Sequence, residues 1–193
     1  MNRVRKGWAK VFLISAFVVL GCMGASGKGQ AIQPKITDIV ISSNSENVLV
    51  YAGLTNGFKT EMESAILAGV PTVFTIQLNV YRVRSYLWDK KINSREIKRT
   101  IKYDNLKKTF NIFTDGDGAP ATFADFESAQ KAMADLSGIV IVPLTELVKG
   151  NAYYLKMRVK IDKIRLPLHL EYVFFFVSFW DFETAWYKQN FSY

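Results

Sequence analysis

The sequence predicts an α+β fold that consists mostly of antiparallel β-sheet, two-layered or sandwich-like, with about seven strands and two helices. Apolar and polar residues alternate in several stretches, which is typical of strands with one buried face. Two other stretches repeat their apolar residues at helical spacing, and short turn-like segments separate most of the strands. The 193 residues are 49% hydrophobic, so the chain can bury a core, and its length favours one domain.

The N-terminus predicts export from the cytoplasm. A positively charged region precedes an apolar stretch at 11–20, which is the pattern of a signal peptide. This stretch is too short for a transmembrane helix, which needs about 20 apolar residues. The basic residues are Arg3, Arg5, Lys6 and Lys10.

Cys22 is the candidate lipidation site. The stretch VLGC at 19–22 resembles the lipobox of bacterial lipoproteins, and Cys22 is the only cysteine in the chain. The alternative is cleavage after Gly27 or Ala31, which would remove Cys22 and leave a soluble protein. We therefore expect a signal peptide at 1–22, a small polar tether at 23–33 and a single antiparallel α+β domain at 34–193.

The first half of this domain predicts a hairpin, a helix and a long strand. Two β-branched runs at 36–42 and 48–54 flank SNSEN, which favours a hairpin. Apolar residues from Phe58 to Ile66 then recur at helical spacing, and Gly69 with Pro71 should end a helix of about three turns. From Thr72 the period changes to two. After Val80 the apolar residues change face, which indicates a bulge or a change of partner strand.

The second half predicts further strands and one helix. Alternation at 97–103 and 110–112 indicates two strands, and TDGDGAP then leads into the second helix. A short strand at 139–142 is stopped by Pro143, and 153–161 gives the cleanest amphipathic strand. The apolar face of the second helix should contain Phe123, Phe126, Ala129, Met133 and Leu136.

An aromatic stretch lies near the C-terminus, at 170–187. Its apolar part at 172–180 is too short to cross a bilayer, and Glu171 and Asp181 bracket it. We expect this stretch mainly to complete the core, with an exposed rim that offers a hydrophobic surface to a partner, a lipid or a membrane interface. The candidate surface consists of Phe176, Trp180 and Trp186.

The sequence offers little for catalysis or for binding a metal or cofactor. His169 is the only histidine, no Walker or GxGxxG pattern occurs, and Asp115 with Asp117 lacks the further ligands of an EF-hand loop. Two acid pairs could be an acid and a base, but Glu61 and Glu63, at i and i+2, diverge on a helix, and Asp181 with Glu183 is more simply a solvated strand face. We therefore expect no catalytic residue, no metal and no cofactor.

Basic residues are concentrated in one part of the chain. Removal of the signal peptide would leave 21 basic against 17 acidic residues, yet residues 82–108 alone contain ten basic and three acidic ones. On neighbouring strands such residues would form a basic face suited to anionic phospholipid head groups, whereas an exported protein rarely meets nucleic acid. The alternative is a solvated face whose lysines prevent edge-to-edge aggregation. The candidate basic face consists of Arg82, Arg84, Lys98, Lys102, Lys156, Arg158 and Lys160.

Five stretches of the sequence carry a family resemblance. Together they resemble domain of unknown function 4390, a family of exported proteobacterial proteins, over residues 34–193. The resemblance implies no activity, since the family has none established; it implies an envelope role, because genes of the family often sit beside that of a membrane sensor kinase. The possible lipobox and the FFFVSFW run are not shared by many members, so the anchor does not follow from the family. The stretches are AILAGVP at 65–71, YRVRSYLWD at 81–89, IKYDNL at 101–106, MRVKIDKIRLPL at 157–168 and WDFETAWY at 180–187.

These patterns predict an exported envelope protein, anchored by lipid, that binds rather than catalyses. The expected partner is an envelope protein or anionic phospholipid. Two alternatives stay open: an accessory or sensory partner of a membrane sensor kinase, and a hydrolase that uses carboxylates.

Overall fold

The structure is a computed structural model that describes residues 33–161 and 183–193. Within these ranges it contains two helices and nine strands, two more than the roughly seven expected from the sequence. In chain order they are β1 (Lys35–Ser43), β2 (Asn47–Thr55), α1 (Thr60–Leu67), β3 (Thr72–Arg82), β4 (Lys90–Asp104), β5 (Thr109–Thr114), β6 (Ala121–Phe123), α2 (Phe126–Ala134), β7 (Ile139–Pro143), β8 (Ala152–Ile161) and β9 (Tyr187–Ser192).

The strands form two antiparallel sheets, which confirms the predicted α+β class. The smaller sheet has the order β1-β2-β7, and the larger, curled sheet has the order β6-β5-β4-β3-β8-β9. The predicted hairpin joins β1 to β2, and its turn is fixed by Asn44, whose side-chain oxygen accepts hydrogen bonds from the backbone of Glu46 and Asn47. The predicted irregularity after Val80 is also present, as a register shift between β3 and β4.

One hydrophobic core lies between the sheets and the helices. Alternate residues of β3 and β8 point into it, as the period of two predicts. Aromatic rings connect the elements: Phe58, just before α1, lies 4.9 Å from Phe74 and 5.8 Å from Phe126 between ring centroids. Phe126 in turn lies 5.7 Å from Phe110 of β5, so the start of α2 is packed against both sheet and helix partners.

Both helices differ in length from the sequence prediction. α1 has eight residues, about two turns instead of three. It ends in a Schellman motif, in which Gly69 at a φ of 89° donates to the carbonyl of Ile66 and Val70 donates to that of Ala65. The strand β6 includes Phe123, which was predicted to lie on α2.

The helix α2 begins later because Asp125 caps it. The carboxylate of Asp125 accepts hydrogen bonds from the backbone N–H of Ser128 at 2.8 Å and from its hydroxyl at 2.9 Å. These bonds lower the pKa of Asp125. Phe123 and Phe126 both pack against the core, so their spacing of three is compatible with a helix although a cap separates them.

Two arginines of β4 point inward and fasten the layers together. Arg95 donates to the carbonyl of Val140 in β7 at 2.9 Å. Arg99 donates to the carbonyls of Ala132 and Asp135 at the C-terminal end of α2, where a positive charge also complements the helix dipole. Burial lowers the pKa of Arg99. These two basic residues therefore hold the fold and do not belong to a binding face.

Candidate functional site

The surface of the six-stranded sheet that faces away from the core, called here the outer face, is built around β3. The strands β4 and β8 flank β3, so residues of β4 and β8 meet across a single β3 residue. Thr75 lies between Lys98 and Lys160, Gln77 between Glu96 and Arg158, and Asn79 between Ser94 and Lys156. On the outer face, each of these polar β3 residues therefore lies between one residue of β4 and one residue of β8.

The structure brings five of the seven predicted basic-face residues to the outer face. They are Lys98, Lys102, Lys156, Arg158 and Lys160. Arg82 is paired with Tyr153, whose side chain lies in the core, so the register places Arg82 on the opposite side of β3. Arg84 lies beyond β3 in the loop to β4. β4 and β8 are not neighbours in the described sheet, because β3 lies between them.

A row of hydrogen-bonded side chains crosses the outer face and divides its lysines. Gln77 donates to Glu96 at 2.9 Å and accepts from Arg158 Nε at 2.7 Å. Arg158 also forms an ion pair with Glu183 at 2.7 Å. The guanidinium carbon of Arg158 lies 4.5 Å from the ring centroid of Trp186. Arg158 is thus a structural centre of this face, held by partners on three sides.

Cations and aromatic rings alternate beside this row. The rings of Tyr81 and Tyr154 stack at 5.1 Å with an interplanar angle of 14°. The ammonium of Lys188 lies 4.0 Å from the centroid of Tyr154, and that of Lys156 lies 5.7 Å from the centroid of Tyr81. Such contacts hold lysine side chains in place while the sheet keeps its positive charge.

Tyr154 connects the outer face to the loop between β3 and β4. Its hydroxyl donates to Asp89 at 2.9 Å, and the other carboxylate oxygen of Asp89 accepts from the backbone N–H of Arg84 at 3.1 Å. Burial, reinforced by the hydrogen bond to Asp89, raises the pKa of Tyr154 to about 12. Both oxygens of Asp89 therefore fasten the base of the loop.

The tip of this loop, residues 83–89, exposes a run of large apolar side chains that the sequence analysis did not recognise as a surface. The exposed fractions are 97% for Tyr86, 67% for Leu87 and 92% for Trp88. A run of three large side chains between Ser85 and Asp89, without the alternation of a half-buried strand, is the signal that could have found it.

The described clefts are shallow surface features. One of about 530 Å³ lies beneath the tip loop and is lined by Arg82, Asn151 and residues 83–87, and another of about 390 Å³ lies beside Lys102 and Phe113. Across 33–161 and 183–193, no group of three or more histidine, cysteine or acidic side chains is placed to hold a metal ion. In the same ranges, neither helix is long and apolar enough to cross a membrane.

Three predicted site residues, Cys22, Phe176 and Trp180, lie outside the described ranges, as does His169. The third residue of the candidate aromatic surface, Trp186, precedes β9 with 42% of its surface exposed, and one side of its ring is covered by Arg158. Nearby, Thr184 is buried and donates its backbone N–H to Val159, which attaches this segment to β8.

Comparison with known proteins gives a family assignment. Residues 31–190 match a family described as domain of unknown function (DUF4390). The protein belongs to that family. No curated protein and no solved structure matches the chain. The sheets, the outer face and the tip loop are therefore features of a DUF4390 domain. Four of the five family-like stretches contribute described residues to the outer face or the tip loop: 81–89, 101–106, 157–161 and 183–187.

Proposed function

We propose that this DUF4390 protein is an exported, lipid-anchored binding module of the cell envelope that acts at an anionic phospholipid surface. The observation that supports the proposal most directly is the set of lysines on the outer face. Lys98 and Lys102 of β4 and Lys188 of β9 are exposed there, and Lys156 is half-buried beside them. Each basic residue near an anionic membrane surface contributes about 1 kcal/mol of attraction.

The described acidic residues of the outer face do not cancel this attraction fully, because three carboxylates there stand against six basic residues. The basic residues are Lys98, Lys102, Lys156, Arg158, Lys160 and Lys188. Glu96 accepts from Gln77 and Glu183 pairs with Arg158. Asp104 accepts hydrogen bonds from the backbone of Leu106 and Lys107 in the turn between β4 and β5, and these bonds lower its pKa. Each of these carboxylates thus has a contact that holds the sheet or one of its turns.

The proposed anchor would keep the domain close to the membrane. If Cys22 carries lipid, the tether at 23–33 can span at most about 40 Å even when fully extended. Anchoring raises the effective concentration of the membrane surface around the domain, so weak contacts by individual lysines suffice for association. Lipidation at Cys22 is directly testable by the mass of the N-terminal peptide of protein extracted from the envelope.

The experiment that tests the outer face is charge reversal at its two lysines from β4. The variant Lys98→Glu/Lys102→Glu should associate at least about thirtyfold more weakly with vesicles that contain phosphatidylglycerol, because two attractions of about 1 kcal/mol are lost. The matched control is Lys35→Glu/Lys59→Glu, which makes the same charge change at exposed residues of β1 and the start of α1. Equal effects of the two variants would refute a specific role for the outer face.

A protein partner in the envelope, such as a membrane sensor kinase, is the second candidate. It is favoured by Trp186, an exposed tryptophan whose ring is held in place by Arg158. In this case the protein should co-purify with one envelope protein in constant stoichiometry. The variant Trp186→Ala should lose that protein while its association with vesicles is unchanged. If Trp186→Ala retains both the co-purifying protein and its association with vesicles, this candidate is wrong.

A further inference from the structure

The tip loop is the most exposed apolar feature of the described structure. Tyr86, Leu87 and Trp88 are consecutive, and at least two thirds of the surface of each is in contact with solvent. Isolated exposed apolar side chains are common in soluble proteins, but a contiguous run marks an interaction site. The run lies at the end of the β3–β4 hairpin, where it can insert into a deformable apolar layer more easily than into a deep pocket.

Hydrogen bonds hold the base of the loop, whereas its tip is exposed to solvent. Val83 donates its backbone N–H to the carbonyl of Ala152 at 2.9 Å, so the first residue of the loop is attached to the start of β8. Asp89 closes the other side by accepting from Arg84 and Tyr154. A loop that is fastened at its base presents its tip without a large loss of conformational entropy on binding.

The charges around the tip are positive. Residues 82–91 contain four basic residues against the single acid Asp89, a local charge of +3. Both carboxylate oxygens of Asp89 are turned to partners within the protein. The apolar side chains of the tip are therefore flanked along the chain by cations on both sides. The four basic residues are Arg82, Arg84, Lys90 and Lys91.

We propose that the tip loop inserts Tyr86, Leu87 and Trp88 into the interfacial layer of an anionic phospholipid bilayer. Tryptophan and tyrosine are the residues most enriched at the membrane–water interface, where one side of the ring is apolar and the other is hydrated. The surrounding cations complement anionic head groups. This inference rests on the proposed role at a membrane, but it involves a different part of the surface and a different physical interaction, apolar burial.

The chain contains a matched control for the insertion. Leu106 lies in the turn between β4 and β5, is 95% exposed, and is followed by Lys107 and Lys108. The tip loop precedes β4 and this turn follows it, so the 15-residue strand separates the two leucines. Leu87→Asp and Leu106→Asp therefore make the same chemical change at exposed leucines beside basic residues, at opposite ends of one strand.

The experiment uses the protein purified from the bacterial envelope and vesicles of phosphatidylethanolamine and phosphatidylglycerol whose acyl chains carry bromine. Brominated chains quench tryptophan fluorescence only at short range, so quenching reports insertion whether or not an acyl anchor also holds the protein. We expect quenching in the original protein and loss of one component of it in Trp88→Phe, which keeps an aromatic ring but removes the reporter. Leu87→Asp should weaken vesicle association of unanchored protein at least about tenfold, the factor that burial of one leucine supplies.

Three results would overturn the insertion. The first is unchanged quenching in Trp88→Phe, and the second is an equal effect of Leu87→Asp and Leu106→Asp. The third is a dimer, detected by light scattering, that Leu87→Asp dissociates while vesicle association stays the same, because the loop would then contact a second copy of the chain. Circular dichroism and urea unfolding should show both leucine variants folded.

The two membrane proposals can fail separately. If the tip variants weaken association and Lys98→Glu/Lys102→Glu does not, the protein docks by its tip and the outer-face proposal is wrong. If the lysine variant weakens association but Trp88 is not quenched, the tip proposal is wrong and the outer face remains.

Discussion

Replacement of Arg158 by alanine should destabilise the domain much more than a surface arginine normally would. The side chain is only 24% exposed and has three partners in two other segments: Gln77 of β3, and Glu183 and Trp186 just before β9. A hydrogen bond to a charged group contributes about 1.5–3 kcal/mol when partly buried. The ion pair adds about 0.2–1 kcal/mol, because Glu183 is 58% exposed, and the ring contact about 0.5–1 kcal/mol.

These contributions share one guanidinium and do not simply add, so we expect Arg158→Ala to lower the free energy of unfolding by about 2–3 kcal/mol. Urea unfolding followed by circular dichroism measures the change as a lower midpoint at constant slope. The control is Lys131→Ala, which removes the ion pair with Glu127, whose two side chains are both about three quarters exposed. We expect no measurable loss from that variant.

A loss for Arg158→Ala as small as that of the control would show that the contacts of Arg158 are not maintained in solution. The result also decides how the membrane proposal is tested. Charge reversal at Arg158 would mix loss of charge with loss of the row that holds Glu183 and Trp186 in place. The lysines of β4 avoid this difficulty.

Two further predictions concern single groups. Burial and the bond to Asp89 raise the pKa of Tyr154 to about 12 in the folded state, against about 10 when unfolded, so its contribution to stability is complete well below pH 10. This contribution should fall by about 2 kcal/mol between pH 10 and 12. Urea unfolding of Tyr154→Phe should lack this component, and parallel pH profiles of the two proteins would contradict it. Gly69→Ala should lower the free energy of unfolding by about 1–2 kcal/mol, because the φ of 89° is unfavourable for alanine, whereas the added methyl group would meet only Asn105 at 3.8 Å. Thermal unfolding measures this loss. The control is Gly118→Ala, which has open space around it and no positive φ, and should be close to neutral.

The alternation of apolar and polar residues was sufficient to predict most of the fold. In β3 and β8 every second side chain enters the core, so the period of two reports burial directly. The change of face after Val80 likewise predicted a real irregularity of pairing. A strand of three residues is too short to show any period, and this is why β6 was missed and Phe123 was assigned to the helix.

The candidate site was less predictable because it depends on which strands are neighbours. Alternation correctly put Lys98 and Lys102 on one side of β4, but only the strand order shows that β3 stands between them and Lys156. No pattern along the chain indicates that Arg158 has partners in two other segments. The exposure of Trp88 is similarly a property of the hairpin end, since the same three apolar residues within a strand would be counted as core.

The attachment of Thr184 to Val159 has a consequence for how the chain enters its last strand. Thr184 donates its backbone N–H to Val159 at 2.8 Å and accepts the N–H of Val159 with its hydroxyl at 3.1 Å, while Lys160 and Glu183 form a bridge next to them. The chain thus leaves β8 and rejoins the same edge at adjacent positions, whatever lies between. The segment before β9 is therefore already held against β8 before the ladder of β9 begins at the pairing of Met157 with Tyr187.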